Sequence, residues 1–402
     1  MRPNLKTKVI SIGGIAALAL TAACSNHSTS GAGGLGSADS KSADSQTTSV
    51  KIGFQGPLSG DYQQLGINEV NGIQLAVDEA NAKNTYGFKV TLVRSDDQGD
   101  PAKAPAAAAT LIQNNSVLAA VGPAFSGTTK AVGSDYSSAN LAFITPSATN
   151  ATLQTLGFKS FHRMVPSDDV EGTQAAAWLA RKKIKEVFVV DDLSDYGKGV
   201  AAAVEKELKA RGVRVLRQGV DSKTTDYSVV ANAVKNSGAG ALFYGGYDAQ
   251  AALFAKALKS VGYDGLTLTG NGGKSSVFTS QAGAAGNGWY FTCGCLDAAT
   301  APSAKKFAAA YEAAFHEPPS TFSPESYDAT NALLAAIKAA AAHGNPTRQS
   351  VADAVNHIDY KGITTVVRFD TNGDADAGVS TVNLYQQKRG KIVQLGNIKK
   401  MD

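Results

Sequence analysis

From residue 50 almost to its end the chain alternates β-like and helical runs, and this alternation restricts its fold more than any other feature. Residues 50–56 are β-rich, and 68–83 carry Val70, Ile73, Leu75, Ala76 and Val77 at broadly helical spacing. Residues 88–93 alternate as a strand. An Ala-rich helix with Pro101 in its first turn is expected over 101–113, a buried strand over 117–121, a helix over 128–139 and a strand over 141–145. A second series starts near Asp169. It predicts helix 170–183, strand 186–190, helix 197–211 stopped by Gly212, strand 213–220, helix 227–236, strand 241–244, helix 249–260, and strands 266–269 and 289–293. Two long helical patterns, 303–316 and 323–343, precede β-like runs at 364–369, 379–385 and 392–395. Strand and helix in regular alternation imply parallel sheets covered by helices. The body of about 350 residues exceeds one typical core. The fold class is therefore α/β, as two doubly wound lobes with a ligand cleft between them, because ligands bind beyond the carboxyl ends of the strands in open α/β sheets.

The first 48 residues read differently. Arg2, Lys6 and Lys8 make a positive start, 9–20 are apolar or small without charge, and Thr21-Ala22-Ala23 lead to Cys24. This is a secretory signal cleaved before a cysteine. Its apolar run is shorter than the roughly 20 residues of a spanning helix. It resembles a bacterial lipobox, whose cysteine is diacylated. Thr21 departs from the pattern, which prefers Leu there, and Leu20 stands one residue early. The competing reading is an ordinary cleaved signal with a chance cysteine. The expectation is a lipoprotein signal peptide at 1–23, lipidation of Cys24, a Ser/Gly/Ala linker at 24–48 too poor in large apolar residues to fold, and attachment to the extracytoplasmic face of the cell membrane.

Composition removes other classes. The formal charge is +4, and loss of the three basic residues before Cys24 leaves the mature chain near +1, with no basic patch for nucleic acid. Cys293 and Cys295 are too few for a disulfide scaffold; they either bridge or stand as two small buried hydrophobes. Gly273-Lys274-Ser275 resembles the end of a phosphate loop, but Leu268 stands where its first glycine belongs. Asp370, Asn372, Asp374 and Asp376 mimic a calcium loop, but Ala375 and Thr381 replace its glycine and glutamate, so a turn is the better reading. His27, His162, His316, His343 and His357 lack metal spacing. No nucleophile–base pair stands out, so no enzyme, cofactor or metal is expected.

The carboxyl ends of the expected strands single out four loops. Gly122-Pro123-Ala124-Phe125-Ser126-Gly127-Thr128 follows strand 117–121. Its small residues admit close backbone approach, Ser126 or Thr128 would cap the next helix, and the amides of that helix start favour a carboxylate. Pro146-Ser147-Ala148-Thr149 follows strand 141–145, residues 191–197 with Tyr196 follow 186–190, and Gly245-Gly246-Tyr247 follows 241–244. Ordinary turn chemistry would account for any one of them.

These loops, with Ile52-Gly53-Phe54-Gln55-Gly56-Pro57-Leu58-Ser59-Gly60, Asn81-Ala82-Lys83, Asp96-Asp97-Gln98, Tyr196-Gly197-Lys198-Gly199 and Arg368-Phe369-Asp370, carry a resemblance. Over the body from Val50 onward the chain resembles the substrate-binding proteins of branched-chain amino acid ABC transporters, with the periplasmic type I fold. The resemblance implies a multi-crossover hinge, with residues 49–164 and 295–370 in one lobe and 165–294 and 371–402 in the other. It implies that Ser126 binds the ligand carboxylate, that Ser147 and Thr149 contact carboxylate and ammonium, that Tyr196 and Tyr247 close from the second lobe, and that Leu65, Phe125 and Phe322 wall the pocket. The implied partners are a small amino acid or related ligand and a membrane ABC permease, with the chain acting as a monomer. A ligand-sensing receptor domain on the same fold is the alternative.

One position departs. The family usually places an acid for the ligand's ammonium in the loop that here reads Gly270-Asn271-Gly272-Gly273-Lys274, and Gly272 falls at that place. Either another acid such as Asp248 supplies the charge, or the ligand is not a simple α-amino acid. Lys274 either favours a more anionic ligand or points to solvent.

Overall fold

The computed structural model describes residues 49–375 and 381–402; Cys24, the linker and the start of the 379–385 run lie outside them. The chain begins with Ser49–Gly56 (β1), Gln63–Lys83 (α1), Lys89–Asp96 (β2), Ala104–Ile112 (α2), Val117–Val121 (β3), Ser126–Ser138 (α3), Ala142–Thr145 (β4) and Phe161–Arg163 (β5). These strands form one parallel sheet in the order β2-β1-β3-β4-β5. β3 and β4 are apolar at almost every position and buried throughout, as befits strands covered on both faces. The proline in the first turn of α2 is Pro105, not Pro101, which lies in the preceding turn.

A second series follows: Asp168–Arg181 (α4), Glu186–Asp191 (β6), Asp195–Ala210 (α5), Arg214–Gly219 (β7), Ser228–Ser237 (α6), Ala241–Gly245 (β8), Asp248–Ser260 (α7), Leu266–Thr269 (β9), Ser276–Ala282 (α8) and Tyr290–Cys293 (β10). The chain continues through Lys305–Phe315 (α9), Ser323–Ala341 (α10), Arg348–Asn356 (α11) and a small ribbon, Tyr360–Lys361 (β11) with Val366–Val367 (β12). It ends in Asn383–Lys388 (β13) and Lys391–Asn397 (β14), which extend the second sheet in antiparallel fashion to the order β14-β13-β10-β9-β8-β6-β7. α8, α11 and β5 had no sequence counterpart, and the expected strand 364–369 shrinks to β12.

Helices cover both faces of each sheet. On the first, Val50, Ile52 and Phe54 pack with Ile73 and Val77 of α1, Leu333 and Ile337 of α10, and Val351 and Val355 of α11. Leu111 of α2 and Val132 and Tyr136 of α3 cover its other side. On the second, Phe254 and Leu258 of α7 lie on one face, and Trp178 of α4 with Val200 and Val204 of α5 on the other. That last cluster continues into Leu65, Ala124 and Phe125 of the first lobe, so the two lobes share apolar packing across the cleft.

Where β10 leaves the second sheet, Cys293 and Cys295 are joined by a disulfide. Gly294 between them runs against the segment joining β5 to α4, for a Cβ there would stand 2.6 Å from Pro166 Cδ.

Candidate functional site

The loops expected from strand ends converge between the sheets. A small cavity there is lined by Leu65, Ala124, Phe125, Ser126, Ser147, Tyr196, Tyr247, Asn271, Gly272 and Phe322. Seven of the eight expected ligand residues line it. The eighth, Thr149, does not line it; its side chain is buried and acts on the Asp168 carboxylate. The free space is about 10 Å³, hardly enough for one water, so an amino-acid-sized ligand requires the lobes to part.

The first wall is made by backbone and hydroxyls. Gly122 takes φ +98°, and a Cβ there would lie 2.2 Å from the Gln55 carbonyl oxygen, so only glycine turns the chain at this point. The turn leads into α3, whose N-cap position is Phe125 and lacks a side-chain cap. Neither Ser126 nor Thr128 caps the helix. The Ser126 Oγ accepts from the Asn150 amide (3.1 Å), and the Thr128 hydroxyl donates to the Phe125 carbonyl (2.9 Å). The first-turn amides of α3 remain for an anion.

Sequence reasoning missed the groups that hold this wall. Ser147 Oγ lies 2.5 Å from Glu69 Oε1 and 2.6 Å from the Ala124 carbonyl. One hydroxyl hydrogen cannot serve both acceptors. Burial raises the Glu69 carboxyl to about 8. A protonated Glu69 gives its hydrogen to Ser147, which donates its own to Ala124. Ser147 is thus tied into its own lobe. Behind the Thr149 loop, fully buried Arg163 donates to the carbonyl of Asn150 (2.9 Å) and pairs with Asp374 (2.6 Å). Asp370 Oδ1 accepts the Asn372 and Asp374 amides, which makes this segment the turn read from the sequence.

The second wall is aromatic. Tyr247 stacks on Phe125 with centroids 4.4 Å apart and planes 18° apart, and Tyr196 and Tyr62 flank it at 5.2 and 5.0 Å. Tyr62, just before α1, carried no sequence signal. The Tyr196 hydroxyl accepts the Gly272 amide (3.0 Å), and a Cβ on Gly272 would stand 2.6 Å from the Tyr196 ring. The ring occupies the space an acid at this position would use.

Acids stand behind this wall. Glu171 accepts from the Asn271 amide (2.9 Å), the Asn271 side chain (2.6 Å) and Thr292 (2.7 Å), and burial still lifts it to about 6. Asp248 accepts the Ala249 amide (2.8 Å) and is likewise raised by burial to about 6. Lys274 follows neither sequence reading. It turns inward, away from the cavity, with Nζ 4.4 Å from the Tyr385 ring and 3.2 Å from the Thr321 hydroxyl, and burial lowers its pKa. Across the rim, Lys130 of α3 pairs with Asp195 of α5 at 2.9 Å, and the Asn150 side chain donates to the Asp195 carbonyl (2.6 Å).

Residues 49–391 match the model of a family described as periplasmic binding protein. A Leu/Ile/Val-binding protein of Rhizobium johnstonii is 30% identical over 86% of this chain and 93% of its own length. A leucine-, isoleucine-, valine-, threonine- and alanine-binding protein of Pseudomonas aeruginosa is 28% identical over 81% of this chain and 87% of its own. Among solved structures, the branched-chain amino acid transporter substrate-binding protein of Streptococcus pneumoniae, in complex with isoleucine, superposes with TM-score 0.78 at 27% identity, over 86% of this chain and all of that one. A Rhodopseudomonas palustris solute-binding protein holding benzoate shares the fold alone, with TM-score 0.78 at 19% identity over 87% of this chain and 96% of its own.

Proposed function

The chain belongs to the periplasmic binding protein family, and we propose that it is the extracytoplasmic solute-binding lipoprotein of an ABC importer. It captures a small amino acid, or a related carboxylate or amide, between two lobes and delivers it to a membrane permease. One observation carries the reading: a cavity between the two sheets, lined from one side by a helix start with Ser126 and from the other by Tyr196 and Tyr247. Ser126 and the α3 amides suit a carboxylate, while Leu65, Phe125 and Phe322 suit an aliphatic side chain. The relatives' amino acid ligands agree with that chemistry.

In this reading residues 49–164 with 295–370 form one lobe, and 165–294 with 371–402 the other. Their crossings act as a hinge, and ligand contacts to both lobes select the closed form. Lipidated Cys24 and the linker hold a monomeric trap beside its permease and raise its local concentration there. Calorimetric titration of the mature protein with amino acids, amides and small carboxylates tests the capture step. We expect binding of at least one aliphatic amino acid and a rise in melting temperature with it. A panel without any binder would sink the reading. Release of a Cys24→Ala variant from the membrane fraction tests the anchor.

A further inference from the structure

We propose that Glu69 is a positioning residue for ligand capture: through Ser147 its protonated carboxyl holds the two first-lobe binding loops together. The inference rests on the solute capture proposed above. The loop after β3 carries Phe125 and Ser126, and the loop after β4 carries Ser147 and Thr149. They are joined by the Thr145 hydroxyl donating to the Pro123 carbonyl (2.8 Å), the Ser147 hydroxyl to the Ala124 carbonyl (2.6 Å) and the Asn150 amide to Ser126 Oγ (3.1 Å). Of these bonds only that of Ser147 depends on a titratable group, because Ser147 Oγ also lies 2.5 Å from Glu69 Oε1.

Glu69 is fixed from behind. Its carbonyl accepts the Ser326 hydroxyl of α10 (2.8 Å), and one turn further along α1 a Cβ on Gly72 would stand 2.3 Å from the Ser323 carbonyl oxygen. The fully buried side chain therefore meets Ser147 from a backbone pressed against α10. With the proton on Glu69, each close contact holds one hydrogen. Without it, one hydrogen is left for two acceptors. Ser147 then donates to the carboxylate, the stronger acceptor, and its lone pairs face the Ala124 carbonyl at a distance that needs a hydrogen between them. That carbonyl is pushed away, and with it Phe125, Ser126 and the start of α3, where a carboxylate would be received.

The charged groups that face Glu69 are Asp97, just past β2, and Glu325 of α10. Burial is the largest cause that keeps the proton on, both acids add to it, the Ser147 bond opposes it, and the pKa stands at about 8. The loops are thus joined at neutral pH and part as pH rises through 8. Linkage makes the effect reciprocal. A ligand that needs the joined loops raises the Glu69 pKa and takes up protons when it binds near pH 8.

Calorimetry of the mature protein with L-leucine tests this, in buffers of different ionisation enthalpy, one pH unit below and one above 8. Wild type should bind leucine about 3- to 10-fold more weakly at the higher pH, the equivalent of one net hydrogen bond, and take up part of a proton on binding. Glu69→Gln, whose amide donates to Ser147 at either pH, should bind equally at both and without proton uptake. Glu69→Ala should be weak at both. Ionisation of leucine itself affects all three proteins alike and cancels in the comparison. Proton uptake by wild type is read without the variants, should those fold poorly, and its absence overturns the inference. The same pH dependence of affinity in wild type and Glu69→Gln also overturns it; either result leaves solute capture standing. Hydrogen exchange of residues 122–128 without ligand gives a readout independent of leucine, with protection lost above pH 8 in wild type and kept in Glu69→Gln. Absence of leucine binding removes that ligand from the capture reading, and the exchange contrast then decides the inference: present, it stands; absent, it falls.

Discussion

The loop after β3 and the loop after β9 sit at matching places, each at the carboxyl end of a strand facing the cleft, and they are built in opposite ways. The first turns through Gly122 into a helix of 13 residues, leaving first-turn amides and Ser126 toward the cavity. The second is a single three-residue turn, Asn271–Gly273, whose one polar side chain points backward to Glu171 and whose middle residue has no side chain. The first wall fixes polar chemistry through a network within its own lobe. The second fixes shape through rings borrowed from neighbouring elements. A cleft made this way can keep its polar first wall while the shape of the second drifts.

Replacing Arg163 by Met should break the first wall most. It strips the Asn150 carbonyl and Asp374 of their donor, and breaking a buried pair costs ~3–5 kcal/mol. Urea unfolding measures this, and a loss below ~1 kcal/mol would mean the wall stands without it. Phe125→Ala and Tyr247→Ala attack a ring stack that joins the two walls. Each should cost about 2–3 kcal/mol, below the range for a deep core ring because the cleft can open, and the double mutant should reveal ~0.5–1.5 kcal/mol of coupling. Gly272→Ala tests the second wall by volume. Its methyl meets the Tyr196 ring and should cost about 1–3 kcal/mol, with a lower melting temperature.

A subtler contrast is in pH. Glu69 carries a raised folded pKa of about 8 against an ordinary value of 4.5, so the folded state holds a proton the unfolded state has lost. Its contribution is fullest below pH 4.5 and declines as pH rises toward 8. Glu69→Gln should flatten the fall in stability over that window by up to ~1.4 kcal/mol per pH unit, seen in unfolding curves taken at several pH values. The smallest effect belongs to the rim. Lys130→Ala removes a pair whose partners are 50% and 29% exposed, worth ~0.2–1 kcal/mol and less in high salt.

The strand–helix alternation was legible because burial on both faces of a parallel sheet leaves continuous apolar runs, as in β3 and β4. The short helix α8 is only seven residues long, and α11 lies between patterns too brief to show a period, although Thr347 and Ser350 form a capping box there. The site loops were legible because ligand sites follow strand ends, which made Ser126, Ser147, Tyr196 and Tyr247 reachable from local pattern. Glu69 and Arg163 were not. Each lies in an ordinary helical or strand stretch, and its role depends on partners far along the chain, Ser147 for Glu69 and Asp374 for Arg163.

By itself, then, the sequence determined the two α/β series, the loops that line the cavity and the absence of an acid at position 272, since periodicity, glycine placement and residue identity are local properties. Only the tertiary structure decided that Lys274 turns inward against Tyr385, that Glu171 is consumed by the Asn271 turn, and that Asp168 is buried against Thr149. Whether a buried charge is satisfied depends on which donors the fold brings within about 3 Å of it, and that is a property of the packed chain rather than of any segment.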